Sequence, residues 1–282
     1  MVKIISDSTC DLSKDLLREY DISIIPLHIL MGENEYEDGV DISPDEIYSW
    51  SDMNKTTPKT SAPSIERTMS VIKEFTEQGM EIICFSISSQ MSTSGNVMML
   101  AAEELGVEDM VTVLDSANLS TGIGLLVVEA ALMAKNNAKR NEIVDRIEAL
   151  KPLVRASFVV DTLTFLYRGG RCSGLAALAG GALKLHPKIS VVDGKMIPGT
   201  KYRGNIDKAV LHYVKDLDEE MKDAKKDRVF ITHSGCAPEI VRAVRKHLEE
   251  LNIFDEIHET RAGGVISSHC GPGTLGVLYI AK

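Results

Sequence analysis

Ile82-Ile83-Cys84-Phe85-Ser86-Ile87, running directly into Ser88-Ser89-Gln90-Met91-Ser92-Thr93-Ser94-Gly95, decides how this chain is read. The apolar run is a buried strand, the hydroxyl-dense stretch a turn, and the segment from there to residue 100 a helix with Ser or Thr capping its first turn. Amides freed at a helix start point back at such a turn, and with its hydroxyls they form a donor-rich pocket for a small anion. No Lys or Arg lies between Lys73 and Lys135. A polyphosphate site recruits a lysine or a metal beside its loop, so neutral donors point to a singly charged group such as a carboxylate. An ordinary N-capped turn fits the same residues.

The alternation extends outward. Val2-Lys3-Ile4-Ile5 reads as a strand that ends in Ser6-Asp7-Ser8-Thr9 and feeds a helix over 13–20. A strand-like run over 22–30 carries Pro26, which puts it at an edge or a bend. The acidic 31–41 stretch reads as a loop or hairpin, and Ser43-Pro44-Asp45-Glu46 opens a helix with Trp50 as its anchor. Lys59-Thr60-Ser61-Ala62-Pro63-Ser64 is a second hydroxyl-rich turn, with Ser64 capping a helix that Gly79 stops. Met110-Val111-Thr112-Val113-Leu114 is a strand, ending at Asp115-Ser116 before a helix over 120–135. This order predicts an α/β fold with a mostly parallel sheet covered on both faces. Ligands of such sheets sit beyond the carboxyl ends of the strands, where Asp7-Ser8, Ser88 to Ser94 and Asp115-Ser116 would converge.

A helix over 143–150 ends at Lys151-Pro152, where the boundary falls between two α/β domains, 1–155 and 156–282. The second contains a strand over 157–161 and a glycine turn through Gly169-Gly170. A helix over 174–185, made of Ala, Gly and Leu, suits either close packing or room for an apolar ligand. Asp193-Gly194 marks a hairpin. A helix over 206–221, a strand over 228–233, a helix over 238–251 and strands over 254–259 and 275–281 complete a mixed or antiparallel sheet.

The 282 residues suffice for about two domains of ~150 residues. Acidic residues outnumber basic ones 41 to 31, for a net charge of −10, which argues against nucleic acid or an anionic membrane as partner. No run spans a membrane, and the N-terminus turns polar too early for a signal peptide, so a cytoplasmic protein without stable membrane insertion is expected. Five cysteines without a C-x-x-C pair fit reduced thiols and no metal site.

Seven motifs, taken together, resemble the DegV family, bacterial fatty-acid-binding proteins. They are Ser6-Asp7-Ser8-Thr9-Cys10-Asp11-Leu12, Thr60-Ser61-Ala62-Pro63-Ser64, Ser88-Ser89-Gln90-Met91-Ser92, Asp115-Ser116, Gly169-Gly170-Arg171-Cys172-Ser173, Asp193-Gly194-Lys195, and His269 with Gly271-Pro272-Gly273. The resemblance covers essentially the whole chain. It implies a non-catalytic subunit that holds a long-chain fatty acid between two α/β domains, the carboxylate on the first and the tail in an apolar tunnel of the second. Thr60 with Ser61, and Ser92 with Thr93, would bind the carboxylate, supported by His269. It further implies a separate ATP-dependent fatty acid kinase that turns the presented acid into acyl-phosphate for phospholipid synthesis, and no cofactor. Arg203, in a stretch the family keeps basic, would face that kinase; a solvated surface charge is the other reading. The chain departs from the family at Ser92-Thr93-Ser94, where Ser-Gly-Thr is usual, and at His186-Pro187-Lys188.

A serine hydrolase acting on an acyl ester is the rival, with Ser92, His269 and Asp115 as its triad. No G-x-S-x-G elbow accompanies them.

Overall fold

The computed structural model describes residues 1–171 and 185–282. Its first elements are β1 (Val2–Asp7), a 3₁₀ turn (Ser8–Cys10), α1 (Lys14–Glu19), β2 (Ile22–Ile25), β3 (His28–Met31) and β4 (Asn34–Glu37). There follow α2 (Pro44–Asn54), β5 (Lys59–Ser61), α3 (Ile65–Thr76), β6 (Glu81–Ser86), α4 (Ser94–Leu105), β7 (Val111–Asp115), α5 (Thr121–Lys135) and α6 (Arg140–Leu150). Then come β8 (Val154–Val159), α7 (Thr164–Arg168), β9 (Leu185–Val192), β10 (Lys195–Arg203), α8 (Ile206–Asp216) and α9 (Asp218–Met221). The last are β11 (Ala224–His233), α10 (Pro238–Leu251), β12 (Glu256–Arg261), α11 (Gly264–Cys270) and β13 (Leu275–Ala281).

The first sheet has the order β2-β1-β6-β7 and is parallel throughout. The largest, β10-β9-β8-β13-β11-β12, is antiparallel except at β11–β12. Between these two sheets lies α5, in contact with β1 and β6 on one side and β8 and β13 on the other. Its first two turns carry no charged residue, and from Thr121 to Val128 every residue is buried, as a helix covered on both sides requires. One core therefore contains Ile83 and Phe85 of the first sheet together with Phe158 and Leu278 of the large one.

A third, antiparallel sheet, β4-β3-β5, is not separable from the sequence pattern alone. Pro26 has no N–H to give a ladder, so the run over 22–30 breaks there into β2 and β3, which join different sheets. Thr60 consequently lies in strand β5, opposite Ile29, rather than in a turn. The helix expected over 206–221 breaks at Leu217 into α8 and α9. An unanticipated helix, α11, crosses from the second half to pack on α2, β3, β5 and the 3₁₀ turn. The helix expected over 174–185 lies outside the described residues, except Leu185, which begins β9.

Local signals set the boundaries elsewhere. Ser43 and Glu46 form a reciprocal capping box ahead of Pro44. Ser64 Oγ accepts from the Arg67 amide at the start of α3. Asp193 and Gly194 both take positive φ, 49° and 74°, closing the β9–β10 hairpin.

Candidate functional site

The carboxyl ends of the parallel strands do meet. Asp7 Oδ2 accepts from the Ile87 amide at 2.8 Å, and the Ser116 amide donates to Ser86 O at 3.1 Å. Beyond β6 the chain turns tightly, with the Met91 and Ser92 amides both donating to Ser88 O. Ser88 Oγ donates in turn to Gly194 O at 2.8 Å, so the tip of the β9–β10 hairpin pins the turn.

Ser92 emerges from this turn beside a cavity of about 40 Å³. Apolar walls come from Leu27, Ile87, Leu166, Val265 and Ile266, and polar groups from Thr60, Ser61, Ser92, Arg171 and His269. A smaller space of about 20 Å³ adjoins it, sharing Leu119, Ile266 and Cys270.

Thr60 Oγ1 lies 2.7 Å from His269 Nε2. The other imidazole nitrogen, Nδ1, is buried without a hydrogen-bond partner among the described residues. It faces Gly169, where a Cβ would stand 2.2 Å away, so only glycine admits the ring. Burial, reinforced by the Arg171 cation, pushes the His269 pKa down to about 4, and the ring is neutral near pH 7. Among the described residues nothing accepts from Nδ1, which favours the tautomer with its proton on Nε2. It then donates to Thr60 Oγ1 and leaves the threonine hydroxyl proton free for a ligand.

Ser92 Oγ is 2.9 Å from Ser94 Oγ and accepts from the Ser94 amide at 3.3 Å. Arg171 donates to Gly169 O at 2.8 Å and to Met91 O at 3.4 Å, which holds its guanidinium against the cavity. The cavity thus offers three hydroxyls, those of Thr60, Ser61 and Ser92, and a cation on an otherwise apolar wall. That set matches an anion with an apolar body, since charged acceptors draw the stronger hydrogen bonds.

Of the residues expected at the site, Thr60, Ser61, Ser92 and His269 come together. Thr93 does not: it is exposed, and it starts α4 without a side-chain cap bond, contrary to the capped turn expected there. Its φ of −95° is ordinary for any residue, so the family's glycine is not needed at this position. The Ser92 amide is already committed to Ser88 O. Arg203 is exposed on β10, paired with Leu185 and outside the cavity lining. His186 is buried, bonding Asp161 O and Gly204 O, and so braces the start of β9.

The hydrolase triad is not assembled. His269 is turned to Thr60, and Asp115 accepts from the Ser89 and Ala117 amides. Arg171 stands in the sequence as the cation of the Gly169-Gly170-Arg171-Cys172-Ser173 motif, with no role assigned to it. The local gap in Lys and Arg around Ser92 gives no hint that a cation arrives from 80 residues downstream. Among the described residues no group of three or more His, Cys, Asp or Glu could hold a metal, and no helix is long and apolar enough to cross a membrane.

A sequence profile described as "Uncharacterised protein, DegV family" matches residues 1–282. The chain belongs to the DegV family. A DegV domain-containing protein of Clostridium perfringens is 31% identical over 281 residues, covering 100% of this chain and 99% of its own length. Two solved structures superpose along the whole chain, each with 100% of this chain and 99% of the other covered. One is a stearic-acid-binding protein of Eubacterium ventriosum, 33% identical with a TM-score of 0.87. The other is a fatty-acid-binding DegV family protein of Thermus thermophilus, 29% identical with a TM-score of 0.90. These DegV relatives share the α/β architecture, a parallel sheet followed by a mixed one.

Proposed function

We propose that this DegV protein binds a long-chain fatty acid and presents its carboxylate to a separate ATP-dependent kinase. The observation that carries the reading is the donor set of Thr60, Ser92 and Arg171 facing apolar walls, together with structural relatives described as binding fatty acids. The Thr60 hydroxyl, oriented by His269, and the Ser92 hydroxyl would each donate to the carboxylate, with Ser61 at the rim. Arg171 would supply the opposing charge. Each charge-assisted bond is worth about 1.5–3 kcal/mol.

The described cavity accommodates a head group. The tail would continue into an apolar tunnel of the C-terminal domain, taken as 156–282 against 1–155. Each buried methylene adds about 0.8 kcal/mol, so the tail supplies most of the affinity and the head site fixes orientation. On this reading the protein contributes no catalytic group. Arg203, outside the cavity and exposed, would meet the kinase that makes acyl-phosphate.

Mass spectrometry of the purified protein, native and then denatured, tests the ligand. A near-stoichiometric fatty acid is expected. A protein that arrives empty and takes up no oleate or stearate would refute the reading.

A further inference from the structure

Helix α11 begins at Gly264 with Gly263 as its N-cap, and no side chain caps it locally. Its leading amides are taken instead by two carboxylates from the opposite end of the sequence. Gly263 N–H donates to Asp11 Oδ1 at 2.8 Å, and Gly264 N–H to Asp38 Oδ1 at 2.6 Å. The second oxygen of each is also occupied: Asp11 Oδ2 accepts from Ser120 Oγ, and Asp38 Oδ2 from Ser8 Oγ. Both aspartates are buried, with 5% and 2% of their surface exposed, and among the described residues neither has a Lys or Arg ion-pair partner. Burial pushes both carboxyls above the usual carboxylate range, Asp11 the more strongly, and the bonds from Ser120, Gly263, Ser8 and Gly264 oppose that rise.

The two glycines make the approach possible. A Cβ at Gly264 would stand 2.6 Å from Ile29 Cδ1 and 2.9 Å from Asp38 Oδ1, and one at Gly263 would stand 3.1 Å from Asp11 Oδ1. His269 lies five residues along the same short helix, about 7–8 Å away at the helical rise.

We propose that Asp11 and Asp38 are positioning residues of the head-group site: by gripping the first amides of α11 they set His269 against Thr60. This rests on the reading of Thr60 and His269 given above. Neither aspartate touches the cavity, so both act through the helix. The carboxylates belong to the first half of the chain and the helix to the second, so this grip joins the two halves beside the site, alongside the Ser88–Gly194 and Thr60–His269 bonds.

The test is the pH titration of the His269 ring, followed by NMR, in Asp38→Ala, Asp38→Asn and Asp11→Asn. The groups facing the ring are Thr60 on β5 and Arg171 after α7, with Cys270 next to it on its own helix. Those facing Asp38 are Ser8, Asp7 and Asp11. Loosening α11 should raise the ring's pKa by about one unit or more, toward that of a free imidazole. Oleate binding should weaken about tenfold. Asp38→Asn, which keeps one acceptor for Gly264, should shift both readouts less than Asp38→Ala and carries the test if the alanine variant does not fold. Folded variants that melt lower while His269 titrates as in wild type would overturn the proposal and leave the aspartates as helix caps only. A shifted His269 in a protein whose wild type binds no oleate would uphold the grip and sink the ligand reading instead.

Discussion

Replacing Gly169 by alanine tests the head-group site in a protein that still folds. Gly169 sits at φ −73°, ψ −4°, at the end of α7, where any L-residue is comfortable. A change of Gly to Ala in an allowed conformation stabilises by about 0.4–1 kcal/mol through the unfolded chain. The new Cβ, however, would lie 2.2 Å from His269 Nδ1 and 2.8 Å from Cε1, a contact that nothing but displacement of the ring can relieve. Displacing it breaks the Thr60–His269 bond, a loss of about 0.5–1.5 kcal/mol. Repacking the buried ring costs about 1–3 kcal/mol more, so the protein should melt somewhat lower while remaining folded. Binding should not escape. Without the imidazole N–H, the Thr60 hydroxyl is no longer aimed, and a charge-assisted bond of about 1.5–3 kcal/mol corresponds to about tenfold to hundredfold in Kd. Displacement of a fluorescent long-chain fatty acid, alongside thermal melts, measures both. Wild-type affinity in a folded Gly169→Ala protein would refute the assignment of His269 as the orienter of Thr60.

The double change Thr60→Ala with Ser92→Ala removes both hydroxyl donors, and its fatty-acid Kd should rise at least about a hundredfold while its circular dichroism is unaltered; lipid retained at wild-type occupancy would count against the site. Arg203→Glu should leave fatty-acid binding intact and lower acyl-phosphate formation with the cognate kinase and ATP, and unchanged formation would remove Arg203 from the contact. Acid should weaken the fold through His269. Its folded pKa of about 4 lies below the ordinary 6.5, so between these values the unfolded chain binds the proton first, and stability falls as pH drops through that window by up to about 3 kcal/mol. His269→Gln should flatten this part of the pH profile in urea unfolding. Asp7, raised to about 6, has the opposite sign: its folded form holds the proton longer than the unfolded chain, so its contribution falls as pH rises from about 4 to 6. Asp7→Asn should therefore leave a steeper acid limb.

Elements whose signals are local were legible in the sequence. The 82–87 run, the Ser64 cap and the Asp193-Gly194 turn each depend on neighbours within a few residues, and each is found where the sequence places it. Pro26 does mark a bend, yet only tertiary pairing decides that the strand beyond it joins a different sheet. Thr60 and Ser92 are named by motifs, and the partner of Thr60 can be named only through the family resemblance, because nothing local links residues 60 and 269. Arg171 is named by a motif too, but its place at the cavity is not legible, because the turn after α7 creates it. Helix α11 escapes notice because its first turn has no cap of its own; Asp11 and Asp38, more than 200 residues away, provide one.

The bond between Thr60 and His269 joins positions 209 residues apart. On the ribosome, where N-terminal segments fold first, Thr60 and Ser92 are made long before the imidazole that aims one of them. A nascent chain that has folded its parallel sheet therefore still lacks the imidazole that completes the proposed head-group site. On the proposed function, loading would then be a property of the completed protein.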